Sequence, residues 1–186
     1  MFHMKNLVLG RGIAILTVGA FSLVALGSAS AATFVVTNLN DSGPGSLRQA
    51  IAGASAGDTI TFSITGTITL TSGALNIDKN LTIQGPGPNK LKISGNRASR
   101  VFVIQGGKVV TLAGLTITGG VADKSSPIVV SIGGGVLSFG SLTLSNDVVS
   151  DNEALGGAIP GFGPGYAIAG GVASFGTLDV LSLIHI

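Results

Sequence analysis

Gly134-Gly135-Val136-Leu137-Ser138-Phe139-Gly140-Ser141-Leu142-Thr143-Leu144 returns thirty-six residues later as Gly170-Gly171-Val172-Ala173-Ser174-Phe175-Gly176-Thr177-Leu178-Asp179-Val180, with seven of the eleven positions identical. A long fixed period built from Gly pairs, alternating apolar residues and a Gly turn marks stacked supersecondary units rather than one globular core. A shorter Leu-Thr-Ile/Leu element recurs at Leu81, Leu115 and Leu142, and Leu178 opens the variant Leu-Asp-Val. Steps of 34, 27 and 36 residues between these leucines predict units that differ only in their inserted loops.

Short β-rich runs punctuated by Gly, Asn and Asp fill the chain upstream. They span 59–64, 67–70, 75–77, 81–83, 91–93, 101–104, 109–112 and 115–118. Each alternates apolar residues with Thr, Lys or Asn, as a strand with one buried face does. An antiparallel sandwich also uses short strands at regular spacing. However, no Asn-Gly or Asp-Gly hairpin turn joins the runs, and the echoes are of long period. The pattern favours an all-β, single-stranded parallel β-helix, a solenoid in which each strand stacks on its equivalent one coil on. Ahead of the runs, 33–37 reads as a strand and 38–45 as a turn-rich segment. Ser46 to Gln49 then reads as a capping box, and Leu47, Ala50, Ile51 and Ala54 form one helical face that Gly57 ends. This short N-terminal helix suits a lid over the open end of the solenoid.

The 186 residues include 30 Gly, no Cys and 10% charged residues, against averages of roughly 7% Gly and about 25% charge. A hydrophobic content of 45% with little net charge argues against disorder. Residues 1–31 read as a signal peptide, with Lys5 and Arg11 ahead of an apolar stretch over 13–26 and the small-residue site Ala29-Ser30-Ala31 at its end. Met4 is an alternative start. The mature chain, from Ala32, keeps eight basic and eight acidic residues and is formally neutral, which leaves no basic field for nucleic acid. Without cysteine, an exported chain relies on packing and backbone pairing rather than disulfides. Residues 32–57 form the strand and helical cap, 58–180 the coils, and 181–186 a tail. The tail, Leu181-Ser182-Leu183-Ile184-His185-Ile186, breaks the repeat and matches what the codons of a common transposase sequencing adapter spell. It reads as non-native read-through on a truncated gene, so His185, the one histidine of the mature part, carries no functional argument.

Phe34-Val35-Val36-Thr37-Asn38 and Asp41-Ser42-Gly43-Pro44-Gly45-Ser46-Leu47-Arg48-Gln49-Ala50-Ile51 resemble the N-terminal cap of exported bacterial right-handed β-helix proteins, whose Ser-Leu-Arg-Glu/Gln-Ala signature often follows a Cys where Gly45 stands. The runs 80–87 and 114–120 resemble their coils, and 133–152 their later Gly-rich repeats. Gly156-Gly157-Ala158-Ile159 is similar to a tetrapeptide of polymorphic outer-membrane adhesin-like proteins, although their companion Phe-x-x-Asn motif is absent. The resemblance implies a right-handed coil and an exported, extracellular or cell-surface protein associated with the outer membrane. It implies a binding, adhesion or cell-envelope structural role, with carbohydrate or a host or neighbouring cell surface as partner. The alternative is a polysaccharide lyase or glycoside hydrolase of the pectate-lyase-like β-helix class.

An enzyme of that class needs convergent carboxylates, about 5–9.5 Å apart for glycoside hydrolysis. Asp147, Asp151 and Glu153 are the candidate acids, and strand alternation would turn all three outward together. Ser-Asn-Asp-Val-Val-Ser-Asp-Asn over 145–152 is also what a coil's turn looks like, since Asn and Asp satisfy nearby backbone. Lys90, Lys92, Arg97 and Arg100 form a basic stretch that would hold an acidic sugar, or a solvated loop. Gly133-Gly134-Gly135 and Gly156-Gly157 lack the Lys-Ser/Thr of a phosphate loop and read as tight turns or close backbone approaches. The loop 160–166 offers Phe162 and Tyr166 to a partner, and Asn80-Leu81-Thr82 matches a glycosylation sequon. No catalytic, cofactor-binding or metal-binding residue is assigned, no cofactor is expected, and no transmembrane helix is expected in the mature chain.

A solenoid that stops at an ordinary coil leaves an apolar cross-section and open strand edges. Residues 32–180 alone are therefore expected to self-associate end to end. In hydrogen exchange, 81–83 and 115–117 should be strongly protected and 178–180 weakly. Uniform protection in a strictly monomeric sample would contradict both the truncation and the open end.

Overall fold

The computed structural model describes residues 30–122, 130–155 and 166–185. Residues 1–29, 123–129, 156–165 and 186 lie outside the described residues, and with them most of the expected leader, Lys124, the Gly156-Gly157-Ala158-Ile159 tetrapeptide and most of the segment 160–166. The fold is dominated by parallel β-strands with one helix among the described residues. That helix is too short to cross a membrane.

Strand β1 (Thr33–Val36) leads to helix α1 (Leu47–Gly53). A first passage follows through β2 (Thr59–Phe62), β3 (Gly66–Thr69) and β4 (Leu75–Ile77), and a second through β5 (Leu81–Gln84), β6 (Leu91–Ser94) and β7 (Phe102–Ile104). The third has β8 (Val109–Ala113), β9 (Thr116–Thr118), the short β10 (Val121–Ala122) and β11 (Val130–Ile132), then β12 (Val136–Ser138). The fourth has β13 (Ser141–Ser150), β14 (Glu153–Ala154), β15 (Tyr166–Ile168) and β16 (Val172–Ser174), before β17 (Leu178–His185).

Every pairing among the described residues is parallel, and each joins a strand to its counterpart one passage on. Three rows result. The first runs β1-β2-β5-β8 into the first half of β13, the second β3-β6-β9 into its second half, and the third β4-β7-β12-β16. Parallel neighbours exclude the antiparallel sandwich, whose hairpins would put sequential strands side by side.

The inward positions stack like on like. Ile60, Ile83, Leu112 and Leu144 are register partners in the first row, and Ile68, Ile93, Ile117 and Val149 in the second. Leu75, Phe102 and Val136 align in the third. All of these are buried in one cluster. The outward positions carry Thr59, Thr82, Thr111 and Thr143, one above another. Along the first row the register passes from residue 81 to 110, 142 and 178, in steps of 29, 32 and 36. The sequence spacing that counted Leu115 in this series is corrected: Leu115 stands just ahead of β9, in the second row. The later steps are longer, with β10 and β11 entering between the second and third rows in one and β14 and β15 in the next. The pairing of β17 with β13 shifts register between Leu144 and Asp147, at the point where the sequence repeat also breaks.

Ser46 caps α1 by accepting the Gln49 amide N–H on Oγ (3.2 Å), and Leu47, Ala50 and Ile51 enter the core. The reciprocal half of a capping box is replaced by a turn, since the Ser46 amide donates to the Gly43 carbonyl (3.2 Å). Helix α1 stops at Gly53, with Ala54 as its C-cap, short of Gly57. Arg48 binds α1 and the turn before it to the first passage. Its guanidinium donates to Asp41 Oδ1 (2.6 Å) and to the carbonyls of Gly73 (2.7 Å) and Ala74 (3.0 Å). Asp41 Oδ2 accepts the amides of Thr71 and Ser72. Burial works against the charge on Asp41, but these donors and the Arg48 cation outweigh it and hold the carboxyl well below the usual carboxylate range.

The repeat's glycines answer to close backbone approach. A Cβ on Gly140 would strike the carbonyl oxygens of Lys108 and Gln105, and one on Gly176 that of Gly140. Gly106, by contrast, has its nearest neighbour at 3.8 Å. Gly140→Ala should therefore lose about 1–3 kcal/mol through overpacking, whereas Gly106→Ala should stay within about 1 kcal/mol of wild type or gain slightly. Urea unfolding of the two variants checks this; equal stabilities would contradict the close stacking.

Candidate functional site

Ile77, Ile104, Ser138 and Ser174 are register partners at the ends of the third-row strands. The next residue of each passage therefore falls at one corner: Asp78, Gln105, Phe139 and Phe175. The Ser-Phe-Gly repeat explains how the corner is built. Ser138 turns inward and its Oγ donates to the Gly140 carbonyl (3.1 Å), while Ser174 does the same to Gly176 (3.3 Å). The amide of Phe139 donates to Ile104, and that of Phe175 to Ser138. With the serine facing in and the backbone engaged, the phenylalanine faces out. The rings of Phe139 and Phe175 are 48% and 63% exposed, stacked with centroids 5.4 Å apart and planes 11° from parallel. Such a pair contributes about 0.5–1.5 kcal/mol beyond its buried area.

The same corner borders a groove of about 500 Å³ beside α1, lined by Ile51, Leu75, Asn76, Asp78, Lys79 and Gln105 along with Arg48 and Ala52. Its cations are already engaged. Lys79 Nζ donates to the carbonyls of Ala52 (3.3 Å) and Ala54 (3.1 Å), closing the C-terminal end of α1, and lies 3.6 Å from Asp78. Arg48 is held by Asp41. Asn76 and Gln105 are exposed and line it.

The three candidate acids do not share a face. Asp147 is 1% exposed; its Oδ1 accepts the Leu115 amide (2.8 Å) and its Oδ2 the Ser145 amide (3.1 Å). Asp151 and Glu153 are exposed, and Glu153 lies 3.9 Å from Arg97. The expected outward alternation of all three is thus corrected. Asn146 and Asp151 adopt left-handed backbone (φ 53° and 54°), and β13 bends between its first-row and second-row halves, which breaks the two-residue period. Asn152 works as Asp147 does: its Oδ1 accepts the Gly120 amide and its Nδ2 donates to the Ile117 carbonyl. The turn-like reading of 145–152 captured this backbone role, although the backbone served belongs largely to the preceding passage.

The basic stretch is similarly divided. Arg100 is half-buried and donates Nε to the Ile132 carbonyl (3.0 Å), while Lys90, Lys92 and Arg97 are exposed. Gly133 is left-handed (φ 62°), and a Cβ on Gly134 or Gly135 would meet the backbone of Gly170 or Gly171, in line with tight turns and close approaches. Asn80 of the sequon is exposed, and its Oδ1 accepts the Val109 amide (2.9 Å). Among the described residues no three His, Cys, Asp or Glu side chains gather as metal ligands. Sequence reasoning missed the corner. The signal for it was present, since the Ser-Phe-Gly triplet is identical in both copies of the repeat. No protein-family model matches the chain, and neither a curated protein nor a solved structure does.

Burial pushes the Asp147 carboxyl up to about 6, against the two amide donors that favour its charge. A raised acid binds its proton more tightly folded than unfolded, so its contribution is greatest near pH 4 and is lost as pH rises through about 6. Asp41 and Asp58 act in the opposite sense, and their contributions fall away only below about pH 4, the ordinary aspartate range. Wild type should therefore be more stable at pH 5 than at pH 7.5, by on the order of 1–2 kcal/mol. Asp147→Asn should remove that difference. Urea midpoints at the two pH values check this; a wild type that gains stability between pH 5 and 7.5 would contradict it.

Proposed function

We propose that the successive passages are the coils of a right-handed, single-stranded parallel β-helix capped by α1, and that the chain is an exported or surface-exposed module for binding or adhesion. The fold reading is supported by parallel pairing of each strand with its counterpart one passage on, which is how a coil repeats. The signal-peptide pattern over 1–31 supports export. The resemblance of 34–51 to capped exported β-helix proteins supports both.

The single observation that carries the binding reading is the Phe139–Phe175 stack. Two large apolar rings held outward at one corner, beside a groove with free amide groups, do nothing for the core and offer a partner a flat, rigid, water-excluding contact. Carbohydrate suits this surface, since pyranose C–H faces pack on aromatic rings while Asn76 and Gln105 meet hydroxyls. The acids support the lyase or hydrolase alternative poorly. Asp147 is committed to backbone amides, and Glu153 sits by Arg97.

Retention of the purified protein on a panel of immobilised polysaccharides and on cell surfaces tests the proposal. Wild type should be retained by at least one, and Phe139→Ala with Phe175→Ala should weaken retention at least tenfold, with less than about 2 kcal/mol lost in stability. Retention indifferent to both phenylalanines, or depolymerisation of a retained polysaccharide, would contradict it.

A further inference from the structure

The backbone nitrogen of Ala32 lies 2.7 Å from Asp58 Oδ1. Asp58 is 5% exposed, in the turn that leads from α1 into β2. Its other oxygen, Oδ2, accepts the Ser55 amide, also at 2.7 Å. The Ala32 carbonyl in turn accepts the Thr59 amide (2.9 Å), so residue 32 is gripped from both sides just where β1 begins. Residues 30 and 31, immediately upstream, are exposed. The nitrogen held against this buried carboxylate belongs to the residue that follows Ala29-Ser30-Ala31.

We propose that Asp58 is the receptor for a new N-terminus: cleavage of the Ala31–Ala32 bond yields an α-ammonium group on Ala32 that pairs with the Asp58 carboxylate. The reaction is hydrolysis by an export-pathway peptidase. The hydroxyl of water goes to the Ala31 carbonyl carbon, the C–N bond breaks, and the released amine takes up protons to become the ammonium. Before cleavage the contact is a neutral amide donating to a carboxylate. That contact is already charge-assisted through its acceptor; afterwards donor and acceptor are both charged, and the attraction between opposite charges is added to it. The remaining ammonium protons face solvent, since Ala32 itself is exposed.

Other cations of the packed elements are engaged elsewhere. Arg48 of α1 is held by Asp41, and Lys79, after β4, by Asp78 and the carbonyls of Ala52 and Ala54. Asp58 is already kept below the usual carboxylate range by the Ala32 and Ser55 amides, so it is charged and ready to receive a cation at neutral pH. Removal of the leader would thereby tighten the first strand against the turn that follows the cap.

This inference rests on the export reading, and the experiment separates the two. The full chain, leader included, is expressed in an exporting bacterial host, and the exported product is sequenced from its N-terminus. Its α-amine is then titrated by NMR after ¹³C reductive methylation, folded and in urea. We expect Ala32 as first residue and an α-amine that titrates at least one pH unit higher folded than unfolded. An unpaired α-amine titrates near 7.7–8.0, the range expected in urea and in Asp58→Asn. An intact Met1 or Met4 would overturn the export reading and this inference together, and any other first residue would overturn the cleavage site. Ala32 as first residue with the same titration folded and unfolded would overturn the receptor alone. The folded-against-unfolded comparison uses wild type, so the test stands even where Asp58→Asn fails to fold.

Discussion

Parallel, in-register pairing of each passage with the next is the constraint on which the rest of the structure depends. Strands in a sheet lie about 4.7–4.9 Å apart, so every residue stands directly over its counterpart. Inward positions must therefore be apolar in every passage, as Ile60, Ile83, Leu112 and Leu144 are. A slip of one residue would turn all of them to solvent and bring Thr82, Thr111 and Thr143 into the core. The same vertical rule governs the corners. Where the chain bends, the backbone of one passage sits on that of another, and Gly140 and Gly176 leave no room for a side chain.

Apart from the Arg48–Asp41 pair, the polar side chains of this stack answer mainly backbone groups. Asp147 takes the Leu115 amide, Asn152 the Gly120 amide and the Ile117 carbonyl, Asn80 the Val109 amide, and Arg48 two carbonyls of the turn before β4. These are places where an amide or carbonyl would otherwise lack a partner within the fold. The buried polar residues thus serve the fold. The stacked pair of Phe139 and Phe175 stands outside it, exposed at the corner.

Much of the ladder was legible in the sequence. Leu75/Ile77, Leu81/Ile83 and Leu91/Ile93 each enclose one polar residue, and that alternation marked them as strands with one buried face. Ser46 and the apolar positions at 47, 50 and 51 likewise located the helix. Row membership was harder. Leu115 and Leu81 share the Leu-Thr-Ile pattern but belong to different rows, because all three rows bury the same kind of side chain. A period reveals that units repeat without saying which face each strand occupies. Asp147 was misplaced because equal parity with Asp151 and Glu153 was taken to mean one outward face, whereas Asp147 shares the inward face of Val149 and the backbone turns left-handed at Asp151. Arg48 could be seen as part of a signature, yet its partners at 73 and 74 are brought near only by the first passage.

The spacing of the passages is the most direct test of the parallel stack, and a chain without cysteine lends itself to labelling. Cysteines at Thr111 and Thr143, register partners one passage apart, would carry nitroxide labels. A second pair at Thr82 and Thr143 would stand two passages apart. The account predicts strong dipolar broadening for the first pair, from backbones about 5 Å apart, and weaker broadening for the second, at about 10 Å. Spectra without coupling in either pair, or with stronger coupling between 82 and 143 than between 111 and 143, would contradict the in-register parallel stack.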